Sequence, residues 1–202
     1  MDQLSVDQAS GALGVSAVQI GRLIEAGELH AQRFGRSWAI DPESLHRYRL
    51  LRPRRGRPLS EPAAWKRVLD AEHPADIDEA IDLARLVRRR SRNERVRILP
   101  AFEGRIEGDP RVHHGGAHAA IHHGAGIGRP GQRDIYIGAA DVDAFRDEYR
   151  ASPNAEDANV VLRIVETPEL IGGKFVPPIV AVLDLLDAAD TRAATEALRM
   201  LR

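Results

Sequence analysis

Apolar positions recur at helical spacing in two short segments near the start of the chain. Val6, Ala9, Ala12 and Leu13 share one face of a helix over Val6–Leu13, and Ser5 stands where its hydroxyl caps the first turn. Gly14 ends that helix. Ser16 caps a second helix over 17–26, with Val18, Ile20, Leu23 and Ile24 inward and Gly27 closing it. Two short helices about a glycine turn make a helix-turn-helix. Residues 29–34 and Ser37–Ile40 read as two strands joined tightly at Gly35-Arg36. Asp41 then caps a third helix with Pro42 in its first turn, and Leu45, Tyr48 and Leu51 face the core.

Arg52-Pro53-Arg54-Arg55-Gly56-Arg57-Pro58 breaks the pattern. Its prolines and glycine forbid a helix, and its arginines forbid a core. Beyond it, Ser60-Glu61-Pro62 caps a helix running to about residue 71. A further helix over 76–88 turns Ile77, Ala80, Ile81, Ala84 and Leu86 or Val87 inward, with the following arginines on its exposed end. Short apolar runs at 96–102, 134–137 and 159–165 alternate with turns and with a helix over 140–149. Residues 177–202 predict two helices broken near Ala189-Asp190. Ile179, Val180, Val182, Leu183 and Leu186 pack the first, and Ala194, Leu198 and Leu201 the second. The pattern predicts an α+β chain. Residues 1–51 form one domain, 52–58 a linker and 59–202 a larger mixed α/β domain.

Composition narrows the chemistry. The chain has 202 residues, 43% apolar and 29% charged, enough for a packed core. Only 4% are aromatic, so the core is mostly aliphatic. The absence of cysteine excludes a disulfide scaffold, a thiol nucleophile and cysteine-ligated metal. No secretory leader and no membrane-length apolar run are visible, so a soluble cytoplasmic protein is expected.

The net charge of −1 conceals an uneven distribution. Residues 33–58 hold eight arginines against Asp41 and Glu43, and residues 85–99 hold seven against Glu94. From Asp134 onward, seven basic residues face thirteen acidic ones. A basic front and an acidic back suggest that one part grips a polyanion and the other something else. Arg88, Arg89, Arg90 and Arg92 read as a solvated helix end, with contact to a nucleic-acid backbone as the alternative.

Five histidines, His113, His114, His118, His122 and His123, fall within eleven residues. His114, His118 and His122 have ligand-like helical spacing. Gly115-Gly116 opposes a helix through His114, and no carboxylate interleaves, so the expected reading is a polar helix without metal. The chain carries no phosphate loop or nucleophile elbow, and Gly124–Gly128 lacks the dinucleotide-binding spacing. No enzyme and no cofactor are expected.

Leu4–Ala9, Leu13-Gly14-Val15-Ser16, Ile20–Leu29, Arg33–Trp38 and Ile40–Glu43 together resemble the excisionase and MerR-type winged helix-turn-helix family. The resemblance implies that the second helix enters the DNA major groove while the hairpin wing grips the backbone or minor groove. Ser16, Ala17, Gln19 and Arg22 then face base edges, and Arg33 and Arg36 reach phosphates. Ala17, Val18 and Gln19 stand where more polar residues are frequent in that family. Arg55-Gly56-Arg57-Pro58 resembles an AT-hook, with Arg54, Arg55 and Arg57 placed for the minor groove.

The second part carries a more scattered resemblance. It rests on Arg57–Ser60, Trp65, Gly108–Val112, His118-Ala119-Ala120, Ile135-Tyr136-Ile137, Asn159–Val165 and Pro177–Leu186. These are similar to helix-turn-helix regulators related to AbiEi-type antitoxins of type IV toxin–antitoxin systems. That resemblance implies an autorepressing antitoxin. Its partners would be operator DNA, a second copy of the chain and a nucleotidyltransferase toxin that it need not touch. Two other functions remain open: an excisionase-like factor that bends DNA for recombination, and an interaction adaptor whose helix-turn-helix no longer binds DNA.

Overall fold

The computed structural model describes residues 3–35, 37–52, 58–70, 73–128, 131–153 and 157–201. The chain divides into two compact units, Met1–Arg52 and Pro53–Arg202, and its class is α+β.

In the first unit, α1 (Val6–Leu13) and α2 (Ala17–Glu25) are followed by β1 (Ala31–Phe34), β2 (Ser37–Ile40) and α3 (Pro42–Leu50). The start of each helix is set locally. Ser5 and Gln8 form a reciprocal capping box, the Ser16 hydroxyl accepts from the Gln19 amide, and the Asp41 carboxylate accepts from the Glu43 amide. Gly14 ends α1 with φ of 64°. Leu4 pairs with Ile40 in both directions, at 2.9 and 2.8 Å, and ties the entering chain to the hairpin. Ala9, Leu13, Ile20, Leu23, Leu29, Ile40 and Leu45 form the core. Complete burial of Ile20 or Ile40 contributes about 1.5–3 kcal/mol each.

Two positions differ from the periodicity. Ala12 is exposed, and Val18 is 67% exposed rather than inward. In a nine-residue helix packed along one stripe, Ile20 and Leu23 define the inward face, and Val18 lies opposite it.

In the second unit, α4 (Glu61–Leu69) and α5 (Ile77–Leu86) precede β3 (Arg92–Arg97), α6 (Glu103–Gly108), β4 (His113–His114), α7 (Gly116–His122), β5 (Arg133–Gly138), α8 (Val142–Tyr149), β6 (Ser152–Pro153), β7 (Val160–Val165), α9 (Pro178–Asp187) and α10 (Thr191–Leu198). The strand order is β4-β5-β7-β3-β6, with β5 and β7 parallel and the other pairs antiparallel. A parallel pair needs a crossover, and α8 lies within it.

Side chains alternate across the sheet. Ile135 and Ile137 of β5 and Val160, Leu162 and Ile164 of β7 meet Ile106 of α6 and Val142, Phe145 and Tyr149 of α8. On the opposite face, Tyr136 and Arg163 meet α9. Ile179–Leu186 of α9 is buried at every position, the pattern of a helix covered on all sides.

Several boundaries differ from the sequence pattern. Ser60 caps α4 without a side-chain hydrogen bond, and α4 stops at Leu69. Leu83 of α5 and Val87, which caps its end, are buried while Leu86 is exposed. The apolar run 96–102 divides between the end of a strand and a turn. The strand starts earlier, at Arg92, because β3 pairs with β7 along Arg92–Val96, and Pro100–Phe102 is a 3-10 turn.

Candidate nucleic-acid interface

Helix α2 lies with Ile20 and Leu23 in the core, so residues at the opposite positions are left outside. Val18, Arg22 and Glu25 fall at i, i+4 and i+7 and form the outward stripe. Ala17 and Arg22 are exposed, and Gln19 is half-buried at the edge. The Ser16 hydroxyl accepts from the Gln19 amide at 3.3 Å, so it serves the helix cap at the N-terminal end of this face. A row of this kind, Gln and Arg beside small side chains, offers donors and acceptors that match base edges.

The hairpin supplies a cation from the same unit. Arg33 is exposed, and its guanidinium lies 5.8 Å from the Trp38 ring centroid on the paired strand. This cation–π contact restricts the side chain, which remains exposed. Arg52 donates to the Leu13 carbonyl at 3.5 Å, at the C-terminal end of α1. Arg36, Arg54, Arg55 and Arg57 lie outside the described residues.

The second arginine run lies elsewhere. Helix α5 ends at Leu86, and a turn carries Arg88, half-buried, Arg89, exposed, and Arg90 into β3. Arg92 keeps a 67% exposed side chain, 3.6 Å from Glu94. Arg90 is fully buried and cannot touch a nucleic-acid backbone. Its NH2 donates to Asp184 at 2.7 Å and to Asp187 at 2.5 Å, and its carbonyl accepts from Trp65 Nε1 at 2.8 Å. A charge leaves water only for opposite charge, and the acidic end of the chain provides it.

Arg90 belongs to a buried cluster of arginines and aspartates. Arg163 Nε donates to Asp134 at 2.7 Å, and Arg163 NH1 donates to Asp187 at 2.7 Å. Tyr136 donates to Asp184 Oδ1 at 2.7 Å, and the Gly116 amide to Asp184 Oδ2 at 3.0 Å. Gly115 and Gly116 permit this approach. A Cβ on Gly115 would lie 2.6 Å from Asp184 Oδ2, and one on Gly116 2.3 Å from Asp134 Oδ2. Burial opposes the charge on Arg90 and Arg163, but the facing aspartates outweigh it and hold both arginines above their usual range. Burial pushes the Asp134 carboxyl up to about 6, against the pull of Arg163. Burial and the Asp184 charge both push the Tyr136 phenol up.

Sequence reasoning missed this cluster, although its signal is present. Asp184 interrupts the apolar run Ile179–Leu186, and Arg163 interrupts Val160–Val165. A cavity of about 420 Å³, lined by Ile98, Glu103, Ile106, Glu107, His118 and Arg133 among others, lies in the same unit and includes none of the cluster residues.

The histidines do not share a helix face. His114 is in β4, whereas His118 and His122 are in α7, which begins at Gly116. Instead His113, His114, His122 and His123 hold residues 173–176. The His122 ring stacks on Phe175 with centroids 3.8 Å apart, His114 packs against the same ring at 5.3 Å, and His123 Nε2 donates to the Val176 carbonyl at 2.9 Å. Burial, with His118 nearby, pushes His114 down to about 4, so its ring is neutral at neutral pH. Among the described residues, no three histidine or carboxylate side chains are grouped to hold a metal ion, and no helix is long and apolar enough to cross a membrane. The chain has no match among protein families, curated proteins or solved structures.

Proposed function

We propose that the chain is a sequence-selective DNA-binding protein that regulates transcription, reading duplex DNA with α2 and holding it with the β1–β2 hairpin. The observation that carries this reading is the outward face of α2. Its helix is capped and anchored by the core, yet Ala17, Val18 and Arg22 on it remain exposed. Such a helix meets base edges in the major groove with its N-terminal part, here Ala17 and Val18, and with its outer face, from which Arg22 in the last turn projects and suits a bidentate contact to guanine. Arg33, and Arg36 three positions on in sequence, suit phosphates. Arg55 and Arg57 add minor-groove contact in this reading, as the AT-hook resemblance implies.

The experiment is selection of binding sites from a random duplex pool with the full chain, followed by anisotropy titrations. Arg22→Ala is expected to weaken the selected site by about 1–3 kcal/mol and random DNA little. An equal loss on both makes Arg22 a phosphate contact. Failure to enrich any sequence overturns the reading. The resemblance of the second unit supports a narrower role, an autorepressor of a type IV toxin–antitoxin operon. A reporter driven by the promoter of the chain's own gene tests it, and unaltered expression on adding the protein refutes it.

A further inference from the structure

Val18 and Phe34, at 67% and 62%, are the most exposed large apolar side chains among the described residues, and both belong to the first unit. Val18 has no role in the fold that accounts for it. It is β-branched, which lowers helix propensity, and it gains no burial. Gly21, which precedes Arg22 in the same helix, is equally unexplained. A Cβ there would meet nothing within 4 Å, and its φ is not positive, so neither space nor conformation requires glycine. Glycine inside a helix is destabilising relative to alanine, because it loses more backbone freedom on folding. Two unfavourable choices thus lie side by side on the face that the fold leaves open.

The helical rotation sorts this face into halves. Ala17 and Gly21 flank Val18 on one side, and Arg22 and Gln19 on the other. Over residues 17–22 one half is small and apolar and the other carries donors, and the exposed Glu25 carboxylate ends the same stripe one turn further on. Resting on the DNA-binding reading above, we infer that Val18 is a specificity-determining residue that packs against the C5-methyl group of thymine. The methyl is the one apolar feature of base edges in the major groove. Ala17 and Gly21 keep the adjacent surface low, so that the base edge reaches Val18. Val18 and Arg22 are about 6 Å apart along the helix axis, which is less than two base-pair steps of about 3.4 Å. The recognised thymine therefore lies within about two base pairs of the guanine that Arg22 contacts.

Deoxyuridine differs from thymidine only by that methyl and supplies the probe. The full chain is titrated against its selected duplex and against duplexes in which each thymine is replaced singly by uracil. Near the guanine, one replacement is expected to weaken wild-type binding about fourfold, the value of one buried methyl group. Val18→Ala is expected to bind the two duplexes within about twofold of each other, because the partner of the methyl is gone. Val18 is exposed, so this variant keeps the fold, and the uracil series needs no variant at all. A wild type indifferent to uracil at every thymine overturns the Val18 assignment and leaves DNA binding intact. A protein that selects no duplex overturns the DNA-binding reading and this assignment with it.

Discussion

Replacing Asp184 by alanine is expected to destabilise the second unit by about 3–5 kcal/mol, the cost of removing one partner from a buried ion pair. Asp184 is completely buried and accepts from Arg90, Tyr136 and the Gly116 amide, with Arg163 Nε 3.4 Å away. Arg163 retains Asp134 and Asp187 after the change, whereas Arg90 retains Asp187 alone. The hydroxyl of Tyr136 and the amide of Gly116 lose an acceptor inside the core, at about 1–3 kcal/mol each if nothing replaces it. These costs overlap with the lost ion pair, so they are not summed. Asp184→Asn keeps the shape and one acceptor oxygen, and its loss is expected to be smaller, about 1–3 kcal/mol. Urea is the denaturant of choice, since guanidinium chloride screens charge. Trp65 donates to the Arg90 carbonyl and packs edge-on to Tyr136, with ring centroids 5.9 Å apart, so its fluorescence reports on this layer. Trp38→Phe, a change in the other unit, removes the second tryptophan from the signal. A shift of less than about 1 kcal/mol for Asp184→Ala, at unchanged denaturant slope, refutes the reasoning. It would mean that the arginines find other partners and that Asp184 does not hold the cluster together.

Other outcomes follow from single positions. Gly116→Ala forces a Cβ to 2.3 Å from Asp134 at φ of 53° and is expected to destabilise the unit severely in the same urea assay. Gly21→Ala meets no neighbour and is expected to stabilise the first unit by about 0.5–1 kcal/mol while weakening the selected DNA site, a pair of changes read by thermal melting and anisotropy. Asp134 has its carboxyl pushed up to about 6. The folded state therefore holds its proton more tightly than the unfolded chain, and this contribution is present below about pH 4 and lost as pH rises through about 6. Asp134→Asn is expected to gain on the wild type as pH rises across that window, and urea midpoints that stay parallel from pH 4 to 7 would contradict it.

Local chemistry determined most of the first unit. Ser5, Ser16, Asp41 and Pro42 mark helix starts, and Gly14 and Gly27 mark ends, because capping and left-handed turns act within a few residues. The helices α9 and α10 were legible for a similar reason, since an apolar run broken at Ala189-Asp190 leaves little choice. Val18 was not legible. Valine at that spacing suits a core as well as a surface, and only the packing of Ile20 and Leu23 decided which side faced out.

The second unit was decided by pairing between distant segments. Strand β3 begins at Arg92 because β7 lies beside it, and the short α6, β4 and α7 carry too few periodic positions to announce themselves. Arg90 shows the limit most clearly. Four arginines in a row of five read as solvated, since an isolated charge stays in water. Asp184 and Asp187, more than ninety positions later, change that balance once the fold brings them within hydrogen-bonding distance. In the first unit the sequence by itself determined where the helices start and stop, because caps and turns act locally. Which charges leave water depends on the partner each one meets, and only the tertiary structure decides that.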